Sequence, residues 1–370
     1  MQRFAMMVIL FVMSGLASAQ AMTEEQLQAL ANDIRAEHKL VGVGAVVAFE
    51  TGEMLGPVVS GQRTKGGEPI EASDAWHIGS NTKMLTALIY GRLVEQGIVD
   101  WGATLPELFP ELADDMHEDW QAVTIEDLLS HRSGLQANPN MTWFLTSRND
   151  ERSLPEQRRA LAEHFLTQPA SGEHGTFVYS NLGVMMAGAA IEAAVSRHED
   201  APVSYQEVFA RVLLADLPPV EQAKWGFGPP PNIEGHSRVP FLGLMPQGTG
   251  PGADNPAALG PAGTVHVALK PHAELLRDVF LISKDSALTT HLTSLPDGTN
   301  YRLGLGASTS EILGQVFGHD GSNTMNLSHV SILPDQGIVF ILNTNQADKG
   351  GNEGLRAFRR ELIDALMTED

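Results

Sequence analysis

Cysteine is absent from this 370-residue chain. That excludes thiol nucleophiles, disulfide staples and cysteine-based zinc sites. Basic residues are scarce: 24 Lys and Arg face 45 Asp and Glu, for a formal net charge of -21. Such a surface repels nucleic acid and anionic lipid, so no nucleic-acid partner is expected. The thirteen His contain no H-E-x-x-H pair, the spacing that mounts two zinc ligands on one helix face. No metal or other cofactor is therefore expected. The G-x-S-x-G elbow that exposes a serine nucleophile in α/β-hydrolases is missing as well. Tyrosine occurs only four times, so a tyrosine in a motif carries weight.

Only one apolar run is long, and it is N-terminal. Arg3 supplies a basic start, residues 5–16 an apolar stretch, and Ala17-Ser18-Ala19 a small-residue cleavage site before Gln20. Residues 1–19 read as a signal peptide, too short to span a bilayer comfortably. The expected product is periplasmic or secreted, with no stable membrane anchor after cleavage.

The whole chain is 43% hydrophobic, enough for a sizeable core in two lobes. Residues 23–39 predict an amphipathic helix opened by Thr23. Residues 41–49 and 58–62 predict strands joined by turn chemistry at 51–53. A helix starts at Ser80 and ends near Gly97. From about 100 to 216 the pattern is mostly helical, with helices at 154–166, 181–195 and 203–217. The helix from 181 is apolar nearly all round, as a buried helix is. Residues 224–261 are dense in Gly and Pro and predict a long irregular connection, with a further helix over 267–282. Strands follow at 303–307, 314–319, 326–333 and 337–343, then a helix at 354–367. Strands at both ends and helices between them predict an α+β fold. Residues 20–79 and 260–370 form a mixed α/β lobe, an antiparallel sheet flanked by the terminal helices; residues 80–259 form an inserted, mainly helical lobe.

The chemistry centres on Ser80-Asn81-Thr82-Lys83. Ser80 sits at a helix start and Lys83 one turn on, on the same side. A helix N-terminus disfavours a cation, so this Lys should lose its proton readily and stand as a base beside a hydroxyl. Alone, the tetrad also reads as an N-cap with a solvated lysine, and S-x-x-K arises by chance about once in a chain of this size. Partners decide. Tyr179-Ser180-Asn181 lies at the mouth of the buried helix; Tyr179 reads either as a packed aromatic or as a proton relay through a phenolate stabilised by nearby cations. His319-Asp320-Gly321-Ser322 ends a predicted strand. H-x-G is a weak signal, since His77-Ile78-Gly79 matches it too, but a strand-edge Gly marks close backbone approach.

In this order the three motifs resemble those of the serine β-lactamase and penicillin-binding-protein superfamily. The branch most similar holds class C β-lactamases, D-alanyl-D-alanine carboxypeptidases, D-aminopeptidases and related esterases. Residues 124–135, 177–188, 262–275 and 331–343 also resemble family stretches. The resemblance implies a β-lactamase/transpeptidase-like fold with Ser80 as acylated nucleophile, Lys83 as its base or relay and Tyr179 as proton shuttle. It implies Asn181 as a substrate-amide contact and His319 at the position that β-lactamases usually fill with Lys. Gly321 and Ser322 border the substrate, and the backbone N–H groups of Ser80 and Ser322 form the oxyanion hole. Asp320 stands where a hydroxyl residue helps hold a substrate carboxylate; if its side chain faces the cleft, it repels one. The expected activity is that of an exported serine hydrolase acting on an ester, a D-amino-acid peptide or a β-lactam, with ester or D-peptide favoured. A catalytically silent sensor of cell-wall peptides is the alternative, which three intact motifs disfavour.

Overall fold

A computed structural model describes residues 22–368 other than 297. The segment read as a signal peptide, residues 1–19, lies outside the described residues.

The first helix, α1 (Glu24–His38), opens with a capping box: Thr23 Oγ1 accepts from Gln26 N–H at 3.2 Å and Gln26 Oε1 from Thr23 N–H at 2.7 Å. Such a cap is worth ~1 kcal/mol. Strands β1 (Gly42–Phe49) and β2 (Met54–Gly61) follow, then the three-residue strand β3 (Ala75–His77). The helix α2 (Thr82–Glu95) comes next, and α3 (Leu154–Leu166) and α4 (Asn181–Glu199) dominate the helical middle.

The Gly/Pro-rich stretch 224–261 is less irregular than its composition predicts. It holds β4 (Trp225–Phe227) and a hairpin of β5 (His236–Val239) and β6 (Gly243–Pro246). Residues 267–268, expected to open the helix over 267–282, belong instead to β7 (Val265–Ala268), which pairs with both β3 and β4. Helix α5 (Leu269–Arg277) starts only after it. A four-residue V-H-V-A alternation is too short to separate from the helical pattern behind it. The short strand β8 (Tyr301–Arg302) leads to β9 (Leu305–Ser310), β10 (Gly314–Ser322), β11 (Leu327–Leu333), β12 (Ile338–Thr344) and the final helix α6 (Lys349–Met367).

The two ends of the chain meet in one seven-stranded antiparallel sheet of order β2-β1-β12-β11-β10-β9-β8. Its alternation is the reason. Val43, Ala45 and Val47 of β1 and Phe340 and Leu342 of β12 face Leu27, Ile34, Phe358 and Leu362 of the terminal helices. Val46, Ala48, Val339 and Ile341 face the opposite way, into the core that includes Trp76, Leu88 and Leu269. Successive strand side chains alternate in this manner, and each buried aliphatic contributes about 1.5–3 kcal/mol. Helix α4 is buried along most of its length; its one buried acid, Glu192, pairs with Arg158 and accepts from Tyr205 N–H at 2.8 Å.

Strand β10 outruns its neighbour. It pairs with β9 only as far as Gly318, while its pairing with β11 continues to Ser322. The turn before α2 packs against that free end.

Candidate active site

Ser80 lies in a 3₁₀ turn, Gly79–Asn81, that feeds into α2. The turn is pinned from several directions. Asn81 Nδ2 donates to Ser328 Oγ of β11 at 2.8 Å, Thr82 Oγ1 donates to Gly79 O at 2.7 Å, and Ile78 N–H donates to Val265 O of β7 at 3.0 Å. No side chain caps the start of α2. The N-cap reading of Ser80 therefore fails, and its half-buried hydroxyl faces Lys83.

Lys83 is fully buried. Its Nζ donates to Ser80 Oγ at 3.0 Å and to the carbonyl of Ala262 at 2.6 Å. Burial strips water from the ammonium and pulls its pKa down to about 7. The depression expected from the sequence is present, but its cause is desolvation and not the helix dipole.

Tyr179 closes over this pair. Lys83 Nζ stands 4.9 Å from the centre of its ring. Burial pushes its phenol up to about 12, and hydrogen bonding to Ser80 acts the other way but does not offset it. The phenolate expected from the sequence is thus corrected: Tyr179 is a neutral phenol at neutral pH. Asn181 opens α4 beside it, and its Nδ2 donates to Asn138 Oδ1 at 2.8 Å.

His319 stacks on Tyr179, with ring centres 6.1 Å apart. Burial first, and Lys83 second, hold its imidazole down to about 4, so it is uncharged at neutral pH. Behind it runs a chain of hydrogen bonds that fixes its tautomer. Ser180 N–H donates to His131 Nδ1 at 3.2 Å, which leaves the His131 proton on Nε2. His131 Nε2 donates to the Tyr301 hydroxyl at 3.1 Å, and that hydroxyl donates to His319 Nε2 at 3.3 Å. His319 therefore carries its proton on Nδ1, a buried atom with no partner among the described residues. Burial keeps His131 neutral, down at about 2, and raises the Tyr301 phenol.

The end of β10 places Gly321 and Ser322 against the serine turn. A Cβ on Gly321 would stand 2.0 Å from Ile78 O, and one on Gly79 would stand 2.3 Å from the Ser322 nitrogen. The backbone N–H of Ser322 thus lies beside the residue preceding Ser80.

Asp320 departs from its expected role. It pairs across the sheet with His329, and its Oδ1 lies 2.6 Å from His329 Nδ1. Its neighbour His319 pairs with Val330, whose side chain faces the inner core. Strand alternation puts the Asp320 carboxylate on the outer sheet face, where His329 holds its pKa low. It cannot repel a carboxylate in the cleft as a side chain facing the site would.

The structure thus brings together Ser80, Lys83, Tyr179, His319, Gly321 and Ser322, sets Asn181 next to Tyr179, and turns the Asp320 side chain away. His131, Tyr301, Asn138 and the Ala262 carbonyl were not singled out from the sequence. Tyr301 is one of only four tyrosines, which is the signal that points to it. The Ala262 carbonyl has none, because any residue supplies one. No group of three or more potential metal-ligating side chains gathers among the described residues, and no helix among them is long and apolar enough to cross a membrane.

The family model described as Beta-lactamase matches residues 27–365. Among solved structures, SurE superposes with a TM-score of 0.71 at 22% identity, over 92% of this chain and 76% of that one. The D-amino acid amidase from Ochrobactrum anthropi SV3 gives 0.70 at 19% identity, over 92% of this chain and 99% of that one. A D-stereospecific amidohydrolase from Streptomyces sp. gives 0.69 at 19% identity, over 94% and 100%. At these identities the likeness is one of fold.

Proposed function

The chain belongs to the β-lactamase family of serine hydrolases, and from that premise we propose that it hydrolyses a neutral ester or a D-amino-acid amide through an acyl-enzyme on Ser80. The observation that carries this reading is Lys83: its Nζ is 3.0 Å from Ser80 Oγ, and burial holds its pKa at about 7. A good fraction of the amine is neutral at physiological pH, as a general base must be.

Neutral Lys83 takes the Ser80 proton as Oγ bonds to the substrate carbonyl carbon. The carbonyl electrons move onto oxygen, which accepts hydrogen bonds from the N–H groups of Ser80 and Ser322. Collapse expels the alcohol or amine. Tyr179, a phenol rather than a phenolate, passes its proton to the leaving group and takes one from the Lys83 ammonium. Water then repeats the sequence on the acyl-enzyme and releases the acid. Asn181 and the partly exposed ring of His319 border the substrate.

The preference for an uncharged substrate rests on the absence of a fixed cation in the third motif. His319 is neutral and the Asp320 side chain lies outside the cleft. A β-lactam or D-Ala-D-Ala carboxylate finds no ion pair there. The D-amino acid amidase and the D-stereospecific amidohydrolase among the structural neighbours are in keeping with this class. Export through residues 1–19 belongs to the same proposal.

Mass spectrometry after treatment with a fluorophosphonate tests the reading. The adduct is expected on Ser80, in a secreted product beginning near Gln20, and Ser80→Ala should neither be labelled nor turn over a short-chain ester. An adduct on another serine, or an active Ser80→Ala, would overturn it. Absence of any labelling would favour the silent sensor.

A further inference from the structure

The Gly/Pro-rich connection sends one acidic side chain to the back of the active site. Asp254 is 2% exposed, and its carboxylate is held by three donors. Oδ2 accepts from His77 Nε2 at 2.8 Å, while Oδ1 accepts from Asn323 Nδ2 at 3.1 Å and from Asn255 N–H at 2.7 Å. The backbone carbonyl of Asp254 accepts from Arg148 Nη2 at 2.5 Å, which ties it to the segment after the short helix Met141–Thr146.

Each side-chain partner belongs to a different wall of the oxyanion hole. His77 Nδ1 accepts from Gly79 N–H at 3.0 Å, so the ring proton is on Nε2 and points at Asp254. Gly79 precedes Ser80, the first N–H donor. Asn323 follows Ser322, the second. Its Oδ1 accepts from Met325 N–H at 3.2 Å and Asn326 N–H at 2.9 Å, which fixes the turn after β10. Nothing in the sequence relates Asp254 to either wall, and none of these three side chains touches Ser80.

We propose that Asp254 is the positioning residue of the oxyanion hole: one carboxylate sets the spacing between the Ser80 and Ser322 N–H groups by bonding His77 on one side and Asn323 on the other. This rests on the acyl-enzyme reading given above. Oxyanion stabilisation acts on charge that develops in the transition state, so loosening the clamp lowers kcat and leaves ground-state binding nearly intact. A misplacement near 1 Å is worth on the order of 100-fold in rate.

The chemistry of the two contacts gives a rescue test. In Asp254→Asn the new amide oxygen still accepts from His77, but its NH₂ meets both the NH₂ of Asn323 and the N–H of Asn255. The double variant Asp254→Asn/Asn323→Asp puts an acceptor opposite that donor and restores the link. Three readouts apply: kcat and KM for a short-chain p-nitrophenyl ester, the rate of fluorophosphonate labelling, and the affinity of phenylboronic acid. Boron bonds to Ser80 Oγ as the serine proton passes to Lys83, and the resulting tetrahedral boronate anion places one hydroxyl oxygen in the hole.

For Asp254→Asn, kcat, labelling rate and boronate affinity should each fall ~10–100-fold, with KM within about threefold. The double variant should regain the part of the loss that comes from the Asn323 link, since the new NH₂ still faces Asn255 N–H. Wild-type values in a folded Asp254→Asn, a loss confined to KM, or a double variant no better than the single one would overturn the proposal. If Asp254→Asn does not fold, Asn323→Ala provides a second test: it cuts the link to Asp254 together with the turn bonds to Met325 and Asn326, leaves the carboxylate bonded to His77, and wild-type rates in it would overturn the proposal. A wild-type protein unlabelled at Ser80 would count against the acyl-enzyme reading itself; labelling of wild type and variant at equal rates would count against the clamp alone.

Discussion

Burial, and not the helix start, brings Lys83 to a useful pKa. The distinction has a kinetic consequence. The active form is the neutral amine, so kcat/KM should rise with pH through about 7, the pKa to which burial lowers Lys83. Tyr179 sits up at about 12 and His319 down at about 4, so neither adds a falling limb between pH 7 and 10. A pH–rate profile with one ascending limb is the expected result. A bell with a descending limb below 10 would mean that a group needed in its protonated form, such as the Tyr179 phenol, titrates well below about 12. Among single residues, Ser80 and Lys83 were legible because a spacing of three on a helix dictates contact. Tyr179 was legible because tyrosine is rare here. Its protonation state was not, since that depends on how much water the fold removes. The orientation of Asp320 was open for a similar reason: alternation allows two faces, and only the registry with His329 decides between them.

Elements that carry a long periodic signal were readable in order, among them α3, α4, β11 and β12. The apposition of elements was not. The serine turn meets the end of β10 across more than 200 residues of chain, through the bare backbones of Gly79 and Gly321. Gly79 has φ +52°, a left-handed conformation that costs a non-Gly residue roughly 1–2 kcal/mol, and a Cβ there would stand 2.3 Å from the Ser322 nitrogen. Gly52 has φ +94° but nothing within 4 Å of the same atom. The pair separates strain from contact. Gly52→Ala should lower the melting temperature by a few degrees through strain alone, and Gly79→Ala by more, because its Cβ also meets backbone atoms. Only Gly79→Ala should also lower kcat/KM, by ~100-fold or more, because it pushes the second oxyanion donor out of place. Equal activity in the two variants would place the oxyanion hole elsewhere. The short strands β3, β4 and β7 escaped the sequence reading because three or four residues are too few for a period to declare itself. They nonetheless frame the site: β3 ends at His77, and β7 fixes Ile78 and Thr82.

At the scale of the whole molecule, the site draws on the stability of the fold. An ordinary lysine titrates near ~10.4, while Lys83 in the folded chain is held at about 7. Between those values the unfolded chain binds the proton and the folded one does not, so stability contributed through this group rises with pH from about 7 to about 10. Below 7 both states are protonated and the penalty of the buried charge is constant. The net charge of -21 works against this, because self-repulsion grows as further cations are lost at high pH. A single melting curve cannot separate the two effects, but a difference between two proteins can. Lys83→Met keeps the length of the side chain and removes the charge, with the global repulsion almost unchanged. The variant should be inactive and more stable than the wild type at pH 6–7, by on the order of a few kcal/mol. The gap should close as pH approaches 10, when the wild-type amine no longer has to give up a proton to fold. Melting temperatures of both proteins from pH 6 to 10 test this. Two curves that run parallel would show that Lys83 does not titrate in this window, and the pH–rate limb near 7 would then need another owner.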